Sequence, residues 1–262
     1  MRIALGIEYS GESYCGWQSQ KNSPSVQQTV EIVLSKIANQ PIKLFCAGRT
    51  DTGVHATFQV AHFDITVDRP MSAWLRGANN TLPQDVSIIW AQQVNEDFHA
   101  RFSAVSRRYR YIIQNSEHPP AILANKVSWY RRRLNAESMH LGAQYLLGKQ
   151  DFKSFQASSC QANTSIRTIG SAQVKQHNQL IFIDIEANAF LHHMIRNIVG
   201  ALLKVGDGCE QPHYIEKIIA FKDRTKAPDT AKPHGLYLVG VGYPEEFHIP
   251  KAIIAPLNHS MS

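Results

Sequence analysis

Residues 47 to 56 read Ala47-Gly48-Arg49-Thr50-Asp51-Thr52-Gly53-Val54-His55-Ala56 and hold the densest polar chemistry in the chain. The run 42 to 47 leads into them with strand-like alternation, and Val60 to Ile65 leads away in the same manner. Two strands joined by a polar loop follow. Gly48 and Gly53 permit positive φ or close backbone approach, so the loop between them can present Asp51 outward on a constrained turn. Arg49 can grip a phosphate with two donors, and Thr50, Thr52 and His55 add hydrogen-bonding groups. The plainer alternative is a polar turn whose aspartate bonds only its own backbone.

Working outward from the loop, Ile3, Leu5, Ile7 and Tyr9 alternate with Ala4, Gly6 and Glu8, which predicts a first strand with one face in a core. The small and polar stretch from Ser10 to Ser23 carries Tyr14, Trp17 and Lys21; it could meet a partner, although packing of Trp17 in the interior is at least as good a reading. Beyond Pro24, Val26, Val30, Val33, Leu34 and Ile37 recur at helical spacing. After the loop, Pro70 to Thr81 reads as a second helix stopped by Pro83, and Val86 to Val94 as a closing strand. The order is β-α-β-β-α-β, the ferredoxin-like split arrangement.

From residue 99 the pattern is read as repeating, which divides the chain into halves 1–98 and 99–262. Tyr109, Tyr111 and Ile113 share one face of a strand that carries Arg108 and Arg110 on the other. A helix from Ala136 to Leu147 comes next, then a long polar segment containing Lys153 and Arg167. The clearest alternation in the chain runs from Ile181 to Ala189 and feeds a helix from Phe190 to Val205. On that helix Met194, Ile195, Ile198, Ala201, Leu202 and Val205 form an apolar stripe, with His193, Arg196, Asn197, Gly200 and Lys204 opposite. A helix near His213 to Lys222 and a last strand from Gly235 to Tyr243 complete the half, and the tail from Glu246 reads as an irregular wrap. The fold class is α+β, with two ferredoxin-like halves built on antiparallel sheets.

At 262 residues and 44% hydrophobic content the chain is globular and can bury a sizeable core. A formal charge of +6 favours an anionic partner without defining one. Cysteines at 15, 46, 160 and 209 form no Cys-x-x-Cys pair, so neither a disulfide framework nor a zinc ribbon is indicated. Glu8 comes too early for a signal-peptide core, and Arg196 and Lys204 interrupt the longest apolar helical stretch. A cytoplasmic location and no membrane partner are expected.

The run Gly48 to Ala56 resembles the signature of the TruA family of tRNA pseudouridine synthases, whose aspartate falls on Asp51. Three further blocks match in order: Ala100-Arg101-Phe102-Ser103-Ala104 running into Arg107-Arg108-Tyr109-Arg110-Tyr111, then 188 to 197, and Gly235-Leu236-Tyr237-Leu238. Thr52 stands where many members have alanine; it adds a hydroxyl and removes no reacting group. The resemblance implies isomerisation of uridine to pseudouridine at three neighbouring positions of the tRNA anticodon stem-loop. It also implies a homodimer, no cofactor, and a central RNA-binding cleft flanked by the two halves. Asp51 takes the role called nucleophile, Arg196 that of the carboxylate's basic partner, and Tyr109 stacks on the flipped base. Arg49 is a substrate-binding candidate and Leu236 an apolar wall for the base.

A carboxylate can attack the sugar, stabilise an oxocarbenium-like centre or abstract a ribose proton, and the sequence does not choose among these. The arginines at 107, 108, 110 and 131 to 133, interleaved with Tyr109, Tyr111, Trp129 and Tyr130, suit phosphate contact and stacking. His192 and His193 have no His-x-x-x-His spacing or acidic neighbour in sequence, so no metal is assigned. Two other classes compete. An RNA-binding module without chemistry gives no reason for a carboxylate in a glycine-flanked loop, and glycoside hydrolysis usually calls for a second facing carboxylate, which the loop lacks.

Overall fold

The structure, a computed structural model, describes residues 1–158, 160, 162–251 and 256–257. In chain order the elements are β1 (Arg2–Tyr9), α1 (Val26–Ala38), β2 (Phe45–Cys46), β3 (His55–Asp64), β4 (Val86–Val94), β5 (Ser106–Asn115), β6 (Ser128–Tyr130), α2 (Ala136–Gln144), β7 (Gly148–Asp151), β8 (Ile166–His177), β9 (Leu180–Ala187), α3 (Met194–Gly206), α4 (Tyr214–Phe221) and β10 (Leu236–Gly242). The class is mixed α+β. By packing, the chain divides into residues 1–105 with 237–262, and residues 106–236. Of the expected C-terminal wrap, 252–255 and 258–262 lie outside the described residues. Among the described residues no helix is long and apolar enough to cross a membrane.

In the first unit β1 lies between β4 and β3, antiparallel to both; β2 pairs antiparallel with β3, and β10 pairs with it in parallel. Helix α1 starts where Ser25, in extended backbone, accepts a hydrogen bond from Gln28 N through its side chain. Such a cap contributes about 1 kcal/mol. The helix stops at Asn39, whose φ of 52° is the left-handed cap that Asn tolerates. Between these ends α1 buries Val26, Val30, Val33 and Leu34. The helix expected from Pro70 to Thr81 is realised around a π-helical turn, Ala73–Gly77, with Trp74 fully buried and edge-on to Phe63 at 5.2 Å.

Strand β1 departs from the expected single buried face, because Ile3, Ala4, Leu5 and Ile7 are all at 0% exposure. The small residues are small because something sits over them: a Cβ on Gly6 would fall 2.0 Å from the indole nitrogen of Trp90. The strand expected over 42 to 47 shrinks to Phe45–Cys46, whereas β3 begins at His55, inside the polar motif.

In the second unit β9 lies between β5 and β8, antiparallel to each, with β7 beyond β8 and β6 parallel to β5. Strand β8, twelve residues long, occupies what reads in sequence as part of a featureless polar segment. Its register slips between Ile169 and Ser171, so the inward residues Ile169, Ala172 and Val174 break strict alternation. Helix α2 ends at Gln144 and not at Leu147. Helix α3 begins at Met194, four residues later than the expected start, because His193 turns into left-handed backbone at φ 60° and interrupts the helix there.

Candidate active site

The loop from 47 to 54 is held in the first unit by backbone and side-chain contacts. Ala47 N donates to Val60 O at 2.8 Å at its start, and Val54 N donates to Asp51 O at 3.1 Å, closing the turn that carries the carboxylate. Gln59 spans the entry, its side-chain amide donating to Gly48 O at 2.6 Å. Of the two glycines that frame the loop, Gly53 has φ +76°, the positive value only glycine adopts without strain.

The segment 10 to 17 closes on this loop from above. Trp17 N donates to Thr50 O at 3.0 Å, and the Tyr9 and Thr50 hydroxyls share a buried hydrogen bond of 2.7 Å. Two glycines permit the approach: a Cβ on Gly11 would lie 2.0 Å from Val54 O, and one on Gly16, at φ +91°, would lie 2.6 Å from Thr50 O. Both obstacles are backbone, which cannot swing aside as a side chain does. Gly11 N also donates to His55 Nδ1 at 3.0 Å, and the His55 ring stacks on Tyr237 at 4.7 Å. Trp17 is buried, so the segment serves as a clamp and its indole is not a surface contact.

Within this clamp Asp51 is half-buried and Arg49 exposed. The chain just before them is apolar enough to push the Cys46 thiol up to about 12 by burial, which keeps it protonated and unreactive, although Arg49 and Arg101 act in the opposite sense.

In the second unit Tyr109 faces Ile185 across β5 and β9, is 8% exposed, and meets Phe190 edge-on at 5.1 Å. The arginines around it are committed to the protein itself. Arg110 is paired through two nitrogens with both Asp184 oxygens at 2.9 Å, and Arg107 donates to Asn188 O at 3.0 Å. Arg108 alone of the three is exposed, 3.9 Å from Asp184. Next along the strand, Tyr111 donates to Lys232 O at 2.7 Å, and burial pushes its phenol up to about 12.

Arg196 sits in the first turn of α3 and donates from Nε to Ala231 O at 2.8 Å, while Ala231 N returns a bond to Arg196 O at 3.1 Å. The face of α3 opposite its apolar stripe is therefore covered by the segment 224 to 231. Gly200 is buried there because a Cβ would fall 2.1 Å from Asp229 O. Asn197, 1% exposed, donates to Phe155 O at 2.8 Å and accepts from Thr230 at 2.6 Å and from Arg224 at 3.2 Å. Leu236, 5% exposed, follows Gly235, whose carbonyl accepts from Ile112 N at 2.8 Å and so runs beside β5.

Arg49 and Asp51 thus share one loop of the first unit, and Tyr109, Arg196 and Leu236 belong to the second. Gly11 and Gly16 pack against the backbone of the Asp51 loop and Asn197 ties α3 to the segments around it, and the sequence reading missed all three in that role. A glycine pair flanking Tyr14 was the only signal for the first two.

The sequence matches the model of the tRNA pseudouridine synthases over residues 6–103 and 143–244. The chain belongs to that family. More particularly, tRNA pseudouridine synthase A of Photobacterium profundum is 54% identical over 257 residues, which is 98% of each chain. The proteins of the same name from Shewanella denitrificans and Vibrio campbellii are 53% and 54% identical, covering 98% of this chain and 98% and 97% of their own. Asp51, Arg196 and Leu236 lie inside the matched segments, and Tyr109 lies between them.

Proposed function

We propose that this chain is a cofactor-independent isomerase that converts uridine to pseudouridine in the anticodon stem-loop of tRNA, at three neighbouring positions. The observation that carries the reading is the clamped Asp51 loop in a chain more than half identical, end to end, to tRNA pseudouridine synthase A. The glycosidic bond from N1 to C1′ breaks, the uracil turns over, and C5 bonds to the same carbon, so no atom is gained or lost. Asp51 carries that step, in the role called nucleophile. Attack on the sugar, stabilisation of an oxocarbenium-like centre and abstraction of a ribose proton are the three ways in which the carboxylate can act.

Arg196 serves as the carboxylate's basic partner, supplying an opposite charge and N–H donors that orient it. Tyr109 holds the extruded base by its ring, Leu236 walls it, and Arg49 binds phosphate. Residues 1–98 form the half that carries the loop and 99–262 the half that carries Tyr109 and Arg196. Each is a ferredoxin-like half flanking an RNA-binding cleft. The strand orders β4-β1-β3 and β5-β9-β8, all antiparallel, support that reading. The enzyme works as a cytoplasmic homodimer.

The test is conversion of unmodified tRNA transcripts by the wild-type protein, mapped by position, with no added metal or nucleotide. Pseudouridine confined to the anticodon arm, with no free uracil, is the expected result. Free uracil among the products would make the protein a glycoside hydrolase instead, and binding without conversion would make it an RNA-binding module.

A further inference from the structure

On the first unit a second set of rings and cations lies exposed, outside the residues given catalytic or substrate-binding roles. Phe102 is 75% exposed and Phe45 40% exposed, and the His99 ring sits between them, 4.3 Å from the first and 5.7 Å from the second. Phe45 is stacked in turn on buried His62 at 5.2 Å. A cation stands at each end: the Arg101 guanidinium 5.5 Å from the Phe102 ring centre and Lys43 Nζ 5.6 Å from that of Phe45. Both distances are within the roughly 6 Å at which a cation and a ring attract.

The arrangement is built, not accidental. His99 Nδ1 accepts from the backbone N–H groups of both Arg101 and Phe102, at 3.1 and 3.3 Å. Ser103 N donates to His99 O at 2.9 Å, and His99 N donates back to the Ser103 hydroxyl at 2.9 Å. These bonds fix a tight turn whose effect is to aim Phe102 at solvent. A scattered exposed phenylalanine needs no explanation. A fixed one between a histidine ring and a guanidinium has the chemistry of a stacking surface for bases joined by phosphates. Asp64, the carboxylate that acts on His99, is itself paired through both oxygens with Arg2 at 2.8 and 2.9 Å.

We propose that Phe102 and Phe45, with Arg101 and Lys43, form a platform on which an unpaired base of the RNA substrate stacks, separate from the base that reacts. The proposal rests on the reading of the chain as a tRNA-modifying enzyme. The platform is continuous in sequence with the catalytic loop, because Phe45 precedes Arg49 by four residues and Asp51 by six. RNA held on it enters the loop already in register, so it contributes to binding and not to the chemical step.

The experiment compares wild type, Phe102→Ala, Phe102→Trp and Arg101→Gln as full-length proteins on an unmodified tRNA transcript. It measures kcat, KM, filter-binding Kd and sedimentation. Phe102→Ala is expected to raise KM and Kd about 5- to 150-fold, the range that roughly 1–3 kcal/mol of lost stacking implies, with kcat at saturating RNA within about twofold. Phe102→Trp keeps the affinity and its added fluorescence is quenched by RNA; Arg101→Gln lowers the salt slope of binding by about one. Normal wild-type conversion with an unchanged KM for Phe102→Ala overturns the platform alone. A KM change accompanied by loss of a dimer in sedimentation assigns the surface to a second copy of this chain and also overturns it. A wild type that converts no transcript overturns the functional reading, and the platform with it.

Discussion

The Asp51 loop and the first turn of α3 each hold one charged group in place, and they do so by opposite means. Around Asp51 the closest approach is backbone on backbone, with Gly11 and Gly16 pressed against the carbonyls of Val54 and Thr50, and side-chain bonds from Tyr9, Gln59 and His55 lie beside it. Around Arg196 it is made of side-chain and carbonyl hydrogen bonds, with Asn197 tying α3 to Phe155, Arg224 and Thr230. A backbone clamp has no side chain to adjust and so passes any error directly to the loop. A side-chain network is adjustable, and its loss costs stability before it costs geometry.

The sharpest way to break this contrast is to add one carbon to the clamp. Gly11→Ala must push the carbonyl of Val54 aside, and an ångström of displacement at a reacting group costs on the order of 10²-fold in rate. We expect kcat to fall by about that factor, measured by single-turnover conversion, while circular dichroism shows a folded protein. Gly16→Ala meets an obstacle at 2.6 Å and in addition strains the backbone at φ +91°, so it should lower both rate and stability.

On the other side of the comparison, Asn197→Ala leaves the buried Phe155 carbonyl without its donor and deprives Thr230 and Arg224 of a shared acceptor. Each unsatisfied buried group costs about 1–3 kcal/mol, so denaturant midpoints should drop clearly. Well below the new midpoint, turnover should stay within a few-fold of wild type. A variant that is stable but inactive would erase the distinction between the two grips.

A third effect is acid sensitivity. Burial, with help from His99 and Arg2, lowers the His62 imidazole from 6.5 to about 4, and its Nδ1 accepts from Ala100 N. The unfolded chain therefore takes up a proton at His62 below pH 6.5 that the folded chain refuses until about 4. Stability is full above that window and is lost as pH falls through it. Urea titrations at a series of pH values should show this slope, and His62→Gln should flatten it.

The smallest expected effect separates the arginines of β5. Arg108→Gln should reduce the salt slope of RNA binding by about one with no change in stability, because Arg108 is exposed. Arg110→Gln should do the reverse, since it breaks the two-pronged pair with Asp184. Salt-dependent binding and melting of the two variants check both statements.

Much of this was legible from residue order. Strand β4 has the bounds that alternation predicts, and α1 begins just beyond Pro24 as the spacing of its valines requires. The Asp51 loop announces itself because a turn writes its needs locally, in Gly53 above all. What stayed hidden depends on distant partners. Strand β8 escaped because the slip at Gly170 moves its inward residues out of period two. The cover over the far side of α3 went unseen because nothing in Asn197 or Gly200 announces the segment 224 to 231 that lies over them. Arg110 reads as a phosphate ligand until Asp184 is seen opposite it.

The central claim is that the backbone clamp exists to present one carboxylate to RNA. The most direct measurement is single-turnover conversion of an unmodified tRNA transcript by Asp51→Asn, with the Kd for the same transcript measured in parallel. The account predicts a Kd within a few-fold of wild type and conversion lower by on the order of 10⁴-fold or more. Conversion by Asp51→Asn within about tenfold of wild type, at equal binding, would contradict it.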